Sequence, residues 1–246
     1  YATGLTMTNY NFEKLFGQPV RAPDKDNLTT FHMDIAASIQ AATEDIILKM
    51  TRNLANEYKI NNLCMAGGVA LNCVANGKIL RDSKFESVWV QPAAGDAGGA
   101  LGAALAVWHH ELKNPRSTNF LDSMQGSYLG PEFTDAEIIS ELDNQKAIYS
   151  THDDKEIIEL TAKNIADEKA VGWFQGRMEF GPRALGSRSI LADARSENMQ
   201  KLLNLKVKFR ESFRPFAPSI LREDVSQWFD LNHDSPYMLL VADVKE

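Results

Sequence analysis

Residues Asn61–Leu105 read NNLCMAGGVALNCVANGKILRDSKFESVWVQPAAGDAGGALGAAL. The run Asn61–Met65 predicts a short strand that ends in Gly67-Gly68-Val69, with a helix following from about Ala70 to Asp82. Ser87–Val90 predicts a second strand, Gly95-Asp96 a second glycine turn, and Ala97 to about Leu112 a second helix. Strand, glycine turn and helix, taken twice, is the order of an α/β protein. Each turn places the exposed N–H groups of a helix start at a strand end, where phosphates bind. One Gly-Gly pair alone is explained by a tight turn, and Gly98, Gly99 and Gly102 by close helix packing. Two such turns after successive strands point to a nucleotide site. Asp96 suits a helix cap; as a metal ligand it needs further donors. His109 and His110 cannot help, since neighbours on a helix point about 100° apart.

Upstream, Tyr1–Asn27 reads as irregular structure or short pieces. A long helix is predicted from about Phe31 to Tyr58, with Ile39, Ile46, Ile47, Met50 and Leu54 as a buried stripe. Asp34, Gln40, Glu44, Lys49 and Arg52 then take the wet side. His32 and Asp34 at its start suit a cap or surface position better than a ligand role. Downstream, apolar periodicity lapses between Lys113 and Gly130, which suggests a linker at 114–131 between domains at 1–113 and 132–246. Thr134–Asn144 is a predicted helix with Thr134 and Glu137 as a capping box. Asp154–Glu168 is an amphipathic helix with Ile157, Ile158, Leu160, Thr161 and Ile165 inward. Strands are expected at Ala147–Ser150, Ala170–Phe174, Pro218–Leu221 and Tyr237–Val244. Helical segments are expected at Asn198–Lys206 and Val225–Phe229.

The expected strand Ala170–Phe174 feeds into a basic stretch. From Arg177 to Arg214 there are nine Lys and Arg residues (Arg177, Arg183, Arg188, Arg195, Lys201, Lys206, Lys208, Arg210, Arg214) and four acids, Glu179, Asp193, Glu197 and Glu211. The stretch is thus +5 within a chain of net charge −7. Its arginines lie among Gly, Pro, Ser and Phe, in FGPRALGSRS and ESFRPFAPS, rather than at helical spacing. Guanidinium forks on glycine-rich backbone match a phosphate or carboxylate. The competing reading is a basic surface strip or a nucleic-acid patch.

Composition is that of a globular protein, 44% hydrophobic and 24% charged over 246 residues, with length for one large core or two modest ones. No apolar run reaches the ~18 residues of a membrane span, and no signal peptide is recognisable. Cys64 and Cys73 fit neither a zinc pattern nor a disulfide framework, so a reducing cytoplasm is expected. The opening at Tyr1 and the strand-like close YMLLVADVKE read as cut ends of a longer protein.

MAGGVALNCVANGKIL with VWVQPAAGDAGGALGAAL resembles the second half of the actin-like (ribonuclease H-like) ATPase domain of the O-carbamoyltransferases that tailor antibiotics and nodulation factors. GRMEFGPRALGSRSILADAR with KFRESFRPFAPS is similar to the opening of that family's second α/β domain, which resembles threonylcarbamoyl-AMP synthase. The resemblance spans roughly Asp34–Glu246. It implies that carbamoyl phosphate and ATP form carbamoyl adenylate in the second domain, and that the carbamoyl group passes to a hydroxyl beside a metal in the first. Gly67, Gly68, Val69 and Asn72, with Gly95 and Gly99, match the nucleotide-binding turns. Asp96 matches the aspartate that completes the metal site. Arg177, Arg183, Arg188 and Arg214 fall at the catalytic motifs, and Lys208, Arg210, Gly181 and Ser187 among the substrate contacts. ATP, Mg2+ and a divalent or iron-type metal are the implied cofactors. Carbamoyl phosphate and a small hydroxyl acceptor are the implied partners, with a homodimer allowed and neither membrane nor nucleic acid expected. The family's metal-binding histidine pair lies in a first half absent here, and the end of the second domain is absent too, so this stretch alone is expected to be inactive.

Two other readings stand beside this one. A tRNA threonylcarbamoylation factor shares both domain types, although the acidic chain argues against a strong RNA surface. A nucleic-acid or regulatory module would use the basic stretch without chemistry. No Ser–His or Cys–His pair suggests a covalent intermediate, and Cys64 and Cys73 read as packing.

Overall fold

The computed structural model describes residues 9–22, 25–82, 84–118 and 122–245. The chain divides into two compact units, Tyr1–Lys49 and Met50–Glu246. In the first, helix α1 (Tyr10–Phe16) is capped by the Asn9 side chain and closed by Gly17. Helix α2 (Thr30–Tyr58) begins here and runs into the second unit. Its bounds agree with the sequence expectation, but its burial does not. Ile39, Ile46, Met50 and Leu54 are exposed, while Glu44 and Thr51 are buried. Glu44 tolerates burial because Gln40 donates a 2.8 Å hydrogen bond to it. Periodicity found the apolar face of α2 and not what covers it.

The second unit opens with strand β1 (Asn62–Met65), a 3-10 turn at Gly68–Leu71 and helix α3 (Cys73–Arg81). Strand β2 (Ser87–Val90) follows, then helix α4 (Asp96–Ala106), which widens into a π turn at Val107–Glu111. β1 and β2 pair in parallel, Asn62 opposite Ser87 and Met65 opposite Val90. Parallel pairing demands a crossover, and α3 supplies it. Helix α5 (Asp135–Asn144) carries the expected capping box, Thr134 with Glu137, and helix α6 (Asp154–Ala166) is capped by Asp153. Ile157, Ile158 and Leu160, expected inward, are exposed.

Strand β3 (Val171–Phe174) pairs antiparallel with β4 (Arg188–Leu191), Phe174 opposite Arg188. β4 is a strand that the sequence does not predict. Helix α7 (Met199–Leu202) opens into a π turn at Leu203–Val207, and helix α8 (Val225–Trp228) is a single turn. The strands expected at Ala147–Ser150 and Pro218–Leu221 do not form, and Tyr237–Val244 contributes only a bridge between Val244 and Phe229. Ile148 shows why: its side chain is fully exposed and gains nothing from pleating.

The fold is thus α/β, as expected, with two small separate sheets. Its main cluster joins Ala70, Val90 and Ala94 to Met124, Tyr237 and Leu239, with Phe180 and Leu185 packed against it. Residues from both sides of the expected linker at 114–131 share this core, and Met124 and Ser127 within that stretch are buried. Buried Asn76 donates to the carbonyls of Ala70 (2.8 Å) and Leu239 (3.0 Å). The Tyr237 hydroxyl donates to Asp122 and accepts from the Gly126 amide. Burial, then the Asp122 carboxylate, push the Tyr237 pKa up to about 12.

Candidate anion-binding site

The two glycine turns lie at the C-terminal ends of the parallel strands, where open α/β sheets place their ligands. Gly67 has φ 97° and ψ 157°, a conformation closed to residues with a Cβ. Its amide donates to the Ala94 carbonyl at 2.9 Å, which ties the first turn to the second. Val69 is exposed, and Asn72 caps α3 by accepting from the Ala75 amide at 3.1 Å. Gly95 precedes α4 and Asp96 is its first residue, exposed to solvent. Among the helical glycines, a methyl at Gly98 would overlap the Ala93 carbonyl, whereas Gly99 and Gly102 face open space. Close packing accounts for the first and not for the other two.

The FGPRALGS segment is the second part of the connection from β3 to β4. Gln175 donates its amide to the Ser187 carbonyl at 3.0 Å, which extends the ladder to the loop's edge. Three contacts seat the loop. Gly181, at φ 126°, sits where a Cβ would meet that of Ala93 at 3.3 Å. Phe180 donates its amide to the Ser127 carbonyl at 2.6 Å, and the Tyr128 hydroxyl donates to the Leu185 carbonyl at 2.7 Å. Arg183 reaches back toward the first turn, its Nη2 3.5 Å from the Leu71 carbonyl. Its buried Nε has no hydrogen-bond partner. Arg188 Nη2 donates to the Gly181 carbonyl at 3.1 Å. The structure therefore brings together the Gly67 turn, the Pro92–Gly95 turn, Gly181, Arg183, Ser187 and Arg188.

Beneath the loop lies Glu179, 5% exposed. Its Oε1 accepts from the amides of Leu185 (2.6 Å) and Ser187 (2.8 Å), and its Oε2 stands 3.3 Å from Arg188 Nε. Burial pushes this carboxyl up. The three backbone amides, its own included, and the Arg188 charge outweigh that, so its pKa lies below the ordinary 4.5.

The other predicted arginines have separate local settings. Arg177 donates to the Gly130 carbonyl and pairs with Glu132 at 2.8 Å. Arg210 donates to Asn204 Oδ1 at 2.6 Å and stacks 5.0 Å from the Phe216 ring centre. Fully buried Asn204 in turn donates to the Ser212 and Arg214 carbonyls. Arg214 pairs with Glu211 at 2.9 Å, and Lys208 is exposed. In the sequence Glu179 stands out only as an opposing charge, and Asn204 carries no signal of its role. For Glu179 one signal was available: an acid inside an arginine-rich, glycine-punctuated stretch has no helical neighbour to pair with.

Among the described residues no group of three or more His, Cys, Asp or Glu could hold a metal ion. Asp96 offers a single exposed carboxylate, so these residues alone do not fit a metal. No described helix is long and apolar enough to cross a membrane.

Glycine turns at parallel strand ends with a seated arginine loop beside them form a candidate anion site in an α/β protein. Residues 1–105 match the family model of the carbamoyltransferase N-terminus and residues 162–246 that of the carbamoyltransferase C-terminus. The chain belongs to the carbamoyltransferase family, a family of transferases. It is 56% identical to an uncharacterized protein of Synechocystis sp. over all of this chain and 40% of that one. It is 42% identical to nodulation protein NolO of Bradyrhizobium diazoefficiens over 89% of this chain and 40% of NolO. Identity to nodulation protein NolNO of Sinorhizobium fredii is also 42%, over 89% of this chain and 32% of that protein. The chain thus spans about 40% of the length of the first two of these relatives.

Proposed function

We propose that the intact protein is an ATP-dependent O-carbamoyltransferase, with the Gly181–Arg188 loop as part of its donor-activating site. The observation that carries this reading is the seating of the arginine loop on the glycine turns. Gly181 lies against Ala93, and Arg183 extends to Leu71 with a buried, unpaired Nε. An unmet guanidinium N–H beside helix N-termini favours a dense anion such as a phosphate. In the proposed reaction one water hydrolyses carbamoyl phosphate to carbamate and inorganic phosphate, and the carbamate oxygen attacks the α-phosphorus of ATP. Pyrophosphate leaves and carbamoyl adenylate forms. An acceptor hydroxyl then attacks the carbamoyl carbon, AMP leaves, and the hydroxyl proton is lost to solvent or a base. Arg183 and Arg188 act by holding phosphate oxygens and offsetting charge that builds in the first step. An actin-like identity for residues 1–113 and a threonylcarbamoyl-AMP-synthase-like identity for 132–246 belong to the same proposal.

Asp96 is assigned to the acceptor step. A metal there would polarise the carbamoyl carbonyl, and its other donors would have to come from outside the described residues. The test uses the intact protein with carbamoyl phosphate and ATP, reading pyrophosphate release without acceptor. Arg183→Lys and Arg188→Lys keep charge but lose the planar fork, and each should cut the rate about tenfold or more. Lys201→Ala and Lys206→Ala should stay near wild type. Wild-type release from both arginine variants would refute the site. Asp96→Ala should abolish transfer and spare pyrophosphate release.

A further inference from the structure

We infer that Glu179 is the positioning residue of the arginine loop: a buried carboxylate that fixes the Leu185–Arg188 backbone and thereby aims Arg188. This rests on the reading of that loop as a phosphate-binding site. An acid beneath an anion site is at first sight a contradiction, since it repels the ligand and costs desolvation. The geometry resolves it. The Glu179 side chain is wholly buried, and Oε1 faces two backbone amides two residues apart in sequence, at 2.6 and 2.8 Å. Those two bonds bend the chain at Leu185-Gly186-Ser187 into a fixed turn. The turn leads directly into Arg188, the first residue of β4.

The second oxygen completes the arrangement. Oε2 has no hydrogen-bond partner, nor has Arg188 Nε, although the two lie 3.3 Å apart. The pair is held by charge, without an aligned hydrogen bond. Arg188 instead directs Nη2 to the Gly181 carbonyl, across the mouth of the same loop. Glu179 and the Gly181 carbonyl thus grip one edge of the guanidinium, and 38% of the side chain stays exposed. A guanidinium gripped on one edge can offer its remaining N–H groups to a ligand without rotating. Tyr128 holds the same turn from outside through the Leu185 carbonyl. Glu179 never touches the anion; it sets the orientation of the group that does.

The experiment compares Glu179→Gln, Arg188→Gln and the double variant in the intact protein. Asp234→Asn, which breaks the exposed pair with Arg222, controls for loss of an ordinary carboxylate–arginine pair. Steady-state pyrophosphate release gives KM for carbamoyl phosphate and kcat. Amide hydrogen exchange reads Leu185 and Ser187 directly. Glu179→Gln keeps shape but loses charge, and should raise KM about tenfold with a much smaller change in kcat. Exchange at Leu185 and Ser187 should quicken by a similar factor. The double variant should lose no more than the worse single one, because both act through one guanidinium. Unchanged exchange, or additive losses, would overturn the inference. Normal KM in Glu179→Gln beside a damaged Arg188→Gln would overturn it alone. Normal values in Arg183→Gln and Arg188→Gln would bring down the site reading beneath it. If Glu179→Gln does not fold, Glu179→Asp keeps the charge but is too short to span both amides. Wild-type exchange and KM in that variant would equally refute the role.

Discussion

Gly67 donates its amide hydrogen to the carbonyl of Ala94 across 2.9 Å, so the two glycine turns are one hydrogen-bonded unit. The bond requires the backbone of Gly67 at φ 97° and ψ 157°, although no atom stands where its Cβ would be. Gly67→Ala should therefore destabilise by about 1–3 kcal/mol through conformation alone. Gly68→Ala, equally unobstructed and at ordinary φ, should cost well under that. Urea unfolding of the two variants decides it, and equal losses would show that space rather than backbone conformation makes the turn need glycine.

Asn76 is a second such tie. It is fully buried and serves two carbonyls, those of Ala70 and Leu239. Asn76→Ala leaves both acceptors without their donor and should cost about 1–3 kcal/mol. A change below about 0.5 kcal/mol in the urea midpoint analysis would mean that water replaces the amide there.

Gly77, the next residue, has a Cβ position that would overlap the Val241 carbonyl. Gly77→Ala should destabilise by about 1–3 kcal/mol. Gly102→Ala, on α4 with open space around it, should instead stabilise by about 0.5–1 kcal/mol, as helix propensity dictates. Thermal melts of opposite sign are the expected result.

Asp193 supplies a pH dependence. The Arg195 side chain, with the Arg195 backbone amide, holds its carboxyl down to about 2 from an ordinary 3.8. The folded pKa lies below the unfolded one. Its contribution is therefore present above the ordinary value and is lost as pH falls through about 2. Wild type should lose urea resistance between about pH 5 and pH 2 more steeply than Asp193→Asn. Parallel curves would show that Asp193 titrates alike in both states.

Much of this was legible in the chain itself, for reasons that differ by element. Ser87–Val90 and the Thr134 capping box were readable because their signals are local. Strand Arg188–Leu191 was not, because an arginine-led run becomes a strand only once β3 lies beside it. Tyr237–Val244 looked like a strand from its apolar run. Tyr237 and Leu239 instead enter the core, and the segment has only one bridge. The same limit applies at the site. The arginines announced themselves by charge and setting, but Glu179 carries its meaning in two backbone amides that no composition count can see.

The Asn76–Leu239 bond also sets a clock. The two residues are 163 positions apart, and a ribosome adding about 5–20 residues per second needs roughly 8–33 s to travel between them. Through that interval α3 can already be wound, while the Asn76 amide still lacks its second acceptor and Ala70 and Val90 lack the Leu239 side chain that closes over them. The glycine turns are thus among the first parts of this unit to be synthesised and among the last to be finished. A chaperone that holds nascent chains would meet them in that half-built state.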